Sequence, residues 1–177
     1  MDHDDRQLLI ATHRGHEASA RLLWARHAPR LTAHARAILR NAAAADDAVQ
    51  AVMCRLLELP GGRVRAIQDV AAFLASSVRR EALNQIRAAR RAQAREGKAG
   101  RAAPQGRVAP SGDLHAALEA LPRRLREVVV LKHISELTFD QIALALATNR
   151  NTIAGRYRAA LEALRAVLAP DTGAAHV

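Results

Sequence analysis

A chain of 177 residues fits one domain or two small ones, and its composition, half apolar yet only 2% aromatic, rests on Ala and Leu, which favour helices over strands. The formal charge of +10 points to an acidic partner, nucleic acid ahead of an anionic membrane surface. The single cysteine, Cys54, excludes an internal disulfide and any zinc site built of several cysteines, and it fits a reducing compartment, with the thiol expected in the core.

The opening MDHDDRQLLIATHRGHEA lacks the basic-then-apolar order of a secretion signal, and no apolar run approaches the ~20 residues that span a bilayer. A cytoplasmic protein without membrane insertion is therefore expected. His13 and His16 lie three apart, with His3 upstream, but no further ligands follow at metal-binding distance, so they read as solvated side chains.

Apolar residues recur at helical spacing from Ala18 to Leu39 and again from Asp46 to Leu59, where Val49, Val52, Met53 and Leu56 form one stripe. Asp46 and Asp47 are expected in the first turn of the second helix, facing its unpaired amides and macrodipole. Pro60, Gly61 and Gly62 end that helix. A third helix is expected from Asp69, its cap, with Val70, Phe73, Leu74, Val78, Ala82 and Ile86 turned inward. Its far end is strongly basic: Arg79 to Arg101 holds eight Arg or Lys residues and two Glu, a net of +6.

Residues 97–112, rich in Gly, Pro and Ala, carry too little apolar surface to fold alone and read as a flexible linker. A short helix, Leu114 to Leu121, follows; Pro122 punctuates; Leu125, Val128, Val129 and Leu131 open a second apolar unit that runs to Leu168. The expected architecture is all-α, two small helical domains at 1–96 and 113–177 joined by that linker.

Within the second unit, Thr138 and Gln141 match a capping box, which starts a helix at Phe139 with Ile142 and Leu146 inward. The polar break ATNRN ends it. The next helix, capped by Asn151 or Thr152, is expected to bury Ile153, Tyr157, Leu161, Leu164 and Leu168. Such a pair meets the needs of a helix-turn-helix, whose second helix lays Arg and Asn side chains against base edges and phosphates. The segment by itself leaves open an ordinary helical hairpin with a solvated Arg face.

With LPRRLREVVVLKHISE preceding LTFDQIA and Thr152-Ile153, residues 121 to 168 resemble the fourth region of bacterial sigma-70-family factors, which grips the −35 promoter element. ADDAVQAVMCRLLE, residues 45 to 58, resembles the second-region helix that docks on RNA polymerase, and FLASSVRREALNQIRAARR, residues 73 to 91, resembles its −10 helix. In this order, without an intervening third region, they are similar to an extracytoplasmic-function sigma factor. The resemblance implies a non-enzymatic promoter-specificity subunit without cofactors, whose partners are core RNA polymerase, double-stranded promoter DNA and the melted −10 strand, and it admits an anti-sigma protein that masks both modules.

Carried over by position, the resemblance places Asp47, Gln50 and Arg55 against polymerase, Arg79, Arg80, Asn84 and Arg87 against the −10 strand, and Arg150, Asn151, Thr152, Arg156 and Arg158 against the −35 element. The chain departs from the pattern at Ala147, where relatives often carry Gly, and at Ala154 and Gly155, where Lys or Arg and Ser are usual. Phe73 and Ala75 occupy −10 helix positions that are often aromatic, and Ala51 replaces a common acidic residue. Two other functions stay open: a helix-turn-helix regulator that acts without polymerase, and a diverged polymerase-binding subunit unable to melt DNA.

Overall fold

The computed structural model describes residues 2–95 and 113–168, in which nine helices and no strand occur. The expected linker, 97–112, lies outside the described residues.

The first unit holds α1 (Asp2–His13), α2 (Glu17–Leu39), α3 (Ala42–Leu57), α4 (Gly61–Ala66) and α5 (Val70–Arg95). Their shared core contains Leu9, Leu23, Leu31, the stripe Val49, Val52, Met53 and Leu56, and Leu74 and Val78. Asp69 caps α5 as expected, its carboxylate accepting the Ala72 amide at 2.8 Å. Burial on α5 stops at Ala82, and Ile86, expected inside, is half-buried, because the helix runs on past the elements that cover its first half.

Three further expectations are corrected in this unit. The cap of α3 is Asn41, whose side chain accepts the Ala44 amide at 3.0 Å, so the Ala-rich 42–45 segment is already helical. Asp46 and Asp47 consequently fall in the second turn, where the macrodipole has faded. Pro60-Gly61-Gly62 does end α3, but it also opens α4, which seats Val64 in the core. Cys54 is exposed rather than buried, since one step past Met53 turns it about 100° off the apolar stripe.

The second unit holds α6 (Leu114–Ala120), α7 (Arg123–His133), α8 (Phe139–Ala145) and α9 (Arg150–Leu168). The capping box forms in full: the Thr138 hydroxyl accepts the Gln141 amide at 3.2 Å and the Gln141 side chain accepts the Thr138 amide at 2.9 Å. Asn149, not Asn151 or Thr152, caps α9, accepting the Thr152 amide at 2.7 Å. Ile153 and Leu164 are buried, and Tyr157 is half-buried, its hydroxyl 2.8 Å from His133 Nε2 and its ring edge-on to Phe139. Leu161 and Leu168 are half-buried.

The turn between α8 and α9 is a Schellman motif, with the Thr148 amide donating to Ala143 O at 3.0 Å and the Ala147 amide to Leu144 O at 3.2 Å. It puts Ala147 in the left-handed region, φ 49°. A Cβ there is unfavourable by about 1–2 kcal/mol. Ala147→Gly is therefore expected to raise stability by about 1 kcal/mol, or roughly 2–4 °C in a thermal melt.

The two units share an interface. Ala72 and Ala75 on α5 belong to the same buried cluster as Val128, Leu131, Ile142 and Ile153, and α2 packs along α7. Arg30 on α2 donates to Glu136 at 2.5 Å, Arg40 donates to the Glu119 carbonyl, and Arg79 on α5 donates to Glu127 on α7 at 3.2 Å.

Candidate nucleic-acid and partner interfaces

On α9 the residues expected against the −35 element occupy the first turns of the helix that follows the Schellman turn. Helical geometry puts Asn151 beside Arg158, about 20° apart, with Gly155 about 40° from Asn151 on the outward face and Arg156 about 160° round from Arg158. Asn151 and Arg158 are exposed, and Arg156 and Thr152 are half-buried. Arg150 is exposed at the helix start, its Nε 3.4 Å from the Asp140 carboxylate of α8. The arrangement can clamp phosphates from both edges while Asn151 faces a base edge. No neighbour lies within 4 Å of where a Cβ on Gly155 would be, so its place in the middle of that face is an open notch.

On α5 the structure separates what the sequence grouped. Arg80, Asn84 and Arg87 line one exposed stripe, with the Arg87 guanidinium donating to Asn84 Oδ1 at 3.2 Å. Arg91, four residues beyond Arg87, extends this stripe; the i+4 spacing could have revealed it. Arg79 points away from the stripe toward the second unit, its side chain 30% exposed and held by Glu127. Phe73 packs against the first core but stays half-buried, bordering a groove with Ser76 and Arg80 at the start of the stripe, whereas Ala75 is buried in the second cluster.

On α3, Asp47 and Gln50 are exposed one turn apart. Arg55 turns elsewhere: it bonds Glu81 on α5 and the Ala51 carbonyl at 3.1 Å, tying α3 to α5. Gln50 instead borders a groove of about 590 Å³ whose walls include Thr12, Trp24, Met53, Cys54 and Leu57. Trp24 and Leu57 stay 44% and 54% exposed. Sequence reasoning missed Trp24, although a lone tryptophan in a chain so poor in aromatics was the available signal.

Two buried charge clusters support these surfaces. Asp5 on α1 meets His27 of α2 at 3.1 Å and also receives Arg26, which fastens α1 to α2. Burial drives His27 below its ordinary 6.5 despite the nearby Asp5 carboxylate. Its contribution to stability is thus complete above pH 6.5 and is lost as pH falls through the lower folded value. Thermal melts should show a midpoint that drops on acidification from pH 6.5, and His27→Gln should flatten that drop.

The second cluster centres on Glu127, 2% exposed in its side chain, with Arg79 Nε at 3.2 Å and His34 Nε2 at 3.7 Å. Burial pushes this carboxyl up, but His34, Arg79 and Arg123 together outweigh it and hold the group below its ordinary 4.5. His34 is fully buried, and neither of its ring nitrogens has a hydrogen-bond partner.

Among the described residues no group of three His, Cys, Asp or Glu is placed to hold a metal ion, and no helix is long and apolar enough to cross a membrane.

Residues 23–92 match the family pattern described as Sigma-70 region 2, and residues 111–164 match that described as Sigma-70, region 4. No curated protein matches the chain in a direct sequence comparison. The first match spans α3 and the basic stripe of α5, and the second spans the capping box, the Schellman turn and the first turns of α9. Region 2 followed by region 4, each carrying the surface described above, makes this chain a member of the sigma-70 family of the extracytoplasmic-function type.

Proposed function

We propose that the chain is a cytoplasmic promoter-specificity subunit: it binds core RNA polymerase through the first unit and directs it to promoters by −10 contacts from α5 and −35 contacts from α9. The units act as domains 1–96 and 113–177, with 97–112 the tether that sets the reach between the two elements. The observation that carries this reading is the separation of three surfaces on one chain: the Trp24 groove, the Arg80, Asn84 and Arg87 stripe, and the outward face of α9. The family is one of non-catalytic transcription factors.

The groove supports polymerase docking in a specific way. An exposed Trp and Leu beside Gln50 and Asp47 supply an aromatic anchor with a polar rim, the composition of an interface hot spot. Asp47 and Gln50 are the rim residues proposed to meet polymerase, and Arg55 positions α3 through Glu81. Trp24→Ala together with Gln50→Ala is expected to weaken capture of core polymerase by about 30-fold, the scale of one hot-spot loss, in a pull-down titration. Binding of duplex DNA by the full chain should be unchanged, and a parallel loss of DNA binding would contradict the assignment of separate surfaces.

A second reading has one observation in its favour. Phe73, half-buried against the first core beside Arg80, is among the described residues the one aromatic ring near the exposed α5 stripe, and Arg80, Asn84, Arg87 and Arg91 add none, so base stacking, worth about 1–3 kcal/mol per base, is limited there. A subunit that docks polymerase on duplex promoters without opening them fits that stripe. Permanganate footprinting of a polymerase complex with this chain separates the two readings: reactive thymines near the −10 element mark opening, and their absence marks docking alone.

A further inference from the structure

We propose that the Trp24 groove is a thiol-modification site: Cys54 captures a low-molecular-weight peptide thiol as a mixed disulfide, and the adduct closes the groove to core polymerase. The adduct rests on the groove alone, and its consequence rests on the polymerase-docking reading.

Cys54 is exposed and lines the groove of about 590 Å³ between α1, α2 and α3, one turn past Gln50 on the same helix. It is the only cysteine in the 177 residues, so a disulfide at this position takes its second sulfur from another molecule. The groove also carries an unmet polar group. Thr12, on the groove's lining, is 7% exposed, and its hydroxyl has no hydrogen-bond partner among the described residues. A buried hydroxyl without a partner is unfavourable, and a peptide group seated beside Cys54 supplies the missing donor or acceptor. Leu23, Trp24, Met53 and Leu57 give the rest of the groove an apolar character suited to the methylene arms of such a molecule. A second copy of the chain would bring the same groove and no group for Thr12, so it suits the site less well.

The exchange balances without a further oxidant. The Cys54 thiolate attacks one sulfur of the small disulfide; the new S–S bond forms as the old one breaks, and the other half leaves as a thiolate that takes up the proton Cys54 gave. Cys54 reaches the disulfide level while half of the reagent is reduced to thiol. Excess small thiol reverses the step, so occupancy follows the redox poise of the surroundings, as is usual for exposed disulfides in a reducing compartment. The attached peptide fills the space beside Trp24 and Gln50, the anchor and rim proposed to meet polymerase.

The test incubates the full chain with oxidised glutathione and follows it by intact-mass spectrometry and by a pull-down titration with core polymerase. One glutathione per chain is expected, absent from Cys54→Ser and removed by excess reduced glutathione. Capture of polymerase by the adduct is expected to fall about 30-fold, as after loss of the Trp24 anchor. Capture by Cys54→Ser should be the same before and after incubation. Thr12→Val should slow adduct formation about fivefold, the scale of one hydrogen bond, yet leave unchanged the rate with a methyl thiosulfonate, which carries nothing for Thr12 to bond. Absence of the adduct, or a disulfide-linked dimer in its place, overturns the proposal. Equal rates with oxidised glutathione in Thr12→Val and the unsubstituted chain overturn the groove's part in it. An adduct that leaves capture unchanged overturns the control of docking. If even the reduced chain fails to capture polymerase, the docking reading falls and the control with it, while the mass still decides the adduct.

Discussion

Replacing Glu127 by alanine is expected to destabilise the fold by about 3 kcal/mol, because removing one partner of a buried charge cluster leaves the others unpaired. For a chain of this size that is roughly 6–12 °C in the unfolding midpoint. The size of the effect follows from burial: the Glu127 side chain is 2% exposed and faces a fully buried His34, so water cannot replace the lost carboxylate without moving α7 away from α2. Glu127→Gln should cost less, since its amide can still accept from Arg79. The carboxyl lies below its ordinary 4.5, so its contribution is complete above pH 4.5 and fades as pH falls through the lower folded value. The difference in midpoint between the unsubstituted chain and Glu127→Gln should therefore shrink on strong acidification. A constant difference across that range would show that the carboxylate is not the source.

The second large effect belongs to α9. Arg150, Arg156 and Arg158 replaced together by alanine should lower affinity for a −35 duplex by about 100- to 1,000-fold at low salt, at about 1 kcal/mol for each lost contact. The slope of log affinity against log salt should flatten by roughly three, since each phosphate contact releases about 0.9 counterion. Arg150 and Arg158 are exposed and Arg156 half-buried, and none belongs to a core cluster, so the melting midpoint should stay near that of the unsubstituted chain. Arg156 and Arg158 sit on opposite edges of the recognition face, so single replacements should each flatten the slope by about one. If only one of them does, α9 lies tilted against one strand.

What the sequence disclosed followed the strength of its local signals. The stripe Val49, Val52, Met53 and Leu56 and the Thr138 and Gln141 box each specify their own geometry through neighbours a turn away, and both formed as expected. Caps were harder to place. Asn41 and Asn149 act through hydrogen bonds of 3.0 and 2.7 Å, yet each stands among other residues able to cap, so the helix starts moved. Helix α1 went unread because Leu9 reaches the core from a segment otherwise dominated by charge and His.

The interface between the units was not legible at all. Ala72 and Ala75 look like helix formers in any basic helix, and REVVVL carries no mark that its Glu127 will meet His34, 93 positions earlier in the chain, and Arg79, 48 earlier. Long-range pairing depends on which faces remain after each unit has filled its own core. The same limit applied to the candidate site: the residue types and order along α5 were readable, but the turn of Arg79 away from Arg80, Asn84 and Arg87 required a partner surface to become visible.

Run-off transcription with purified core polymerase on promoter-containing genomic fragments tests the central claim most directly. The chain is expected to co-purify with core polymerase and to produce discrete transcripts absent with core enzyme alone, and these should disappear on replacing Arg150, Arg156 and Arg158. A chain that fails to bind core polymerase, while binding duplex DNA by itself as a symmetric dimer, would contradict the account.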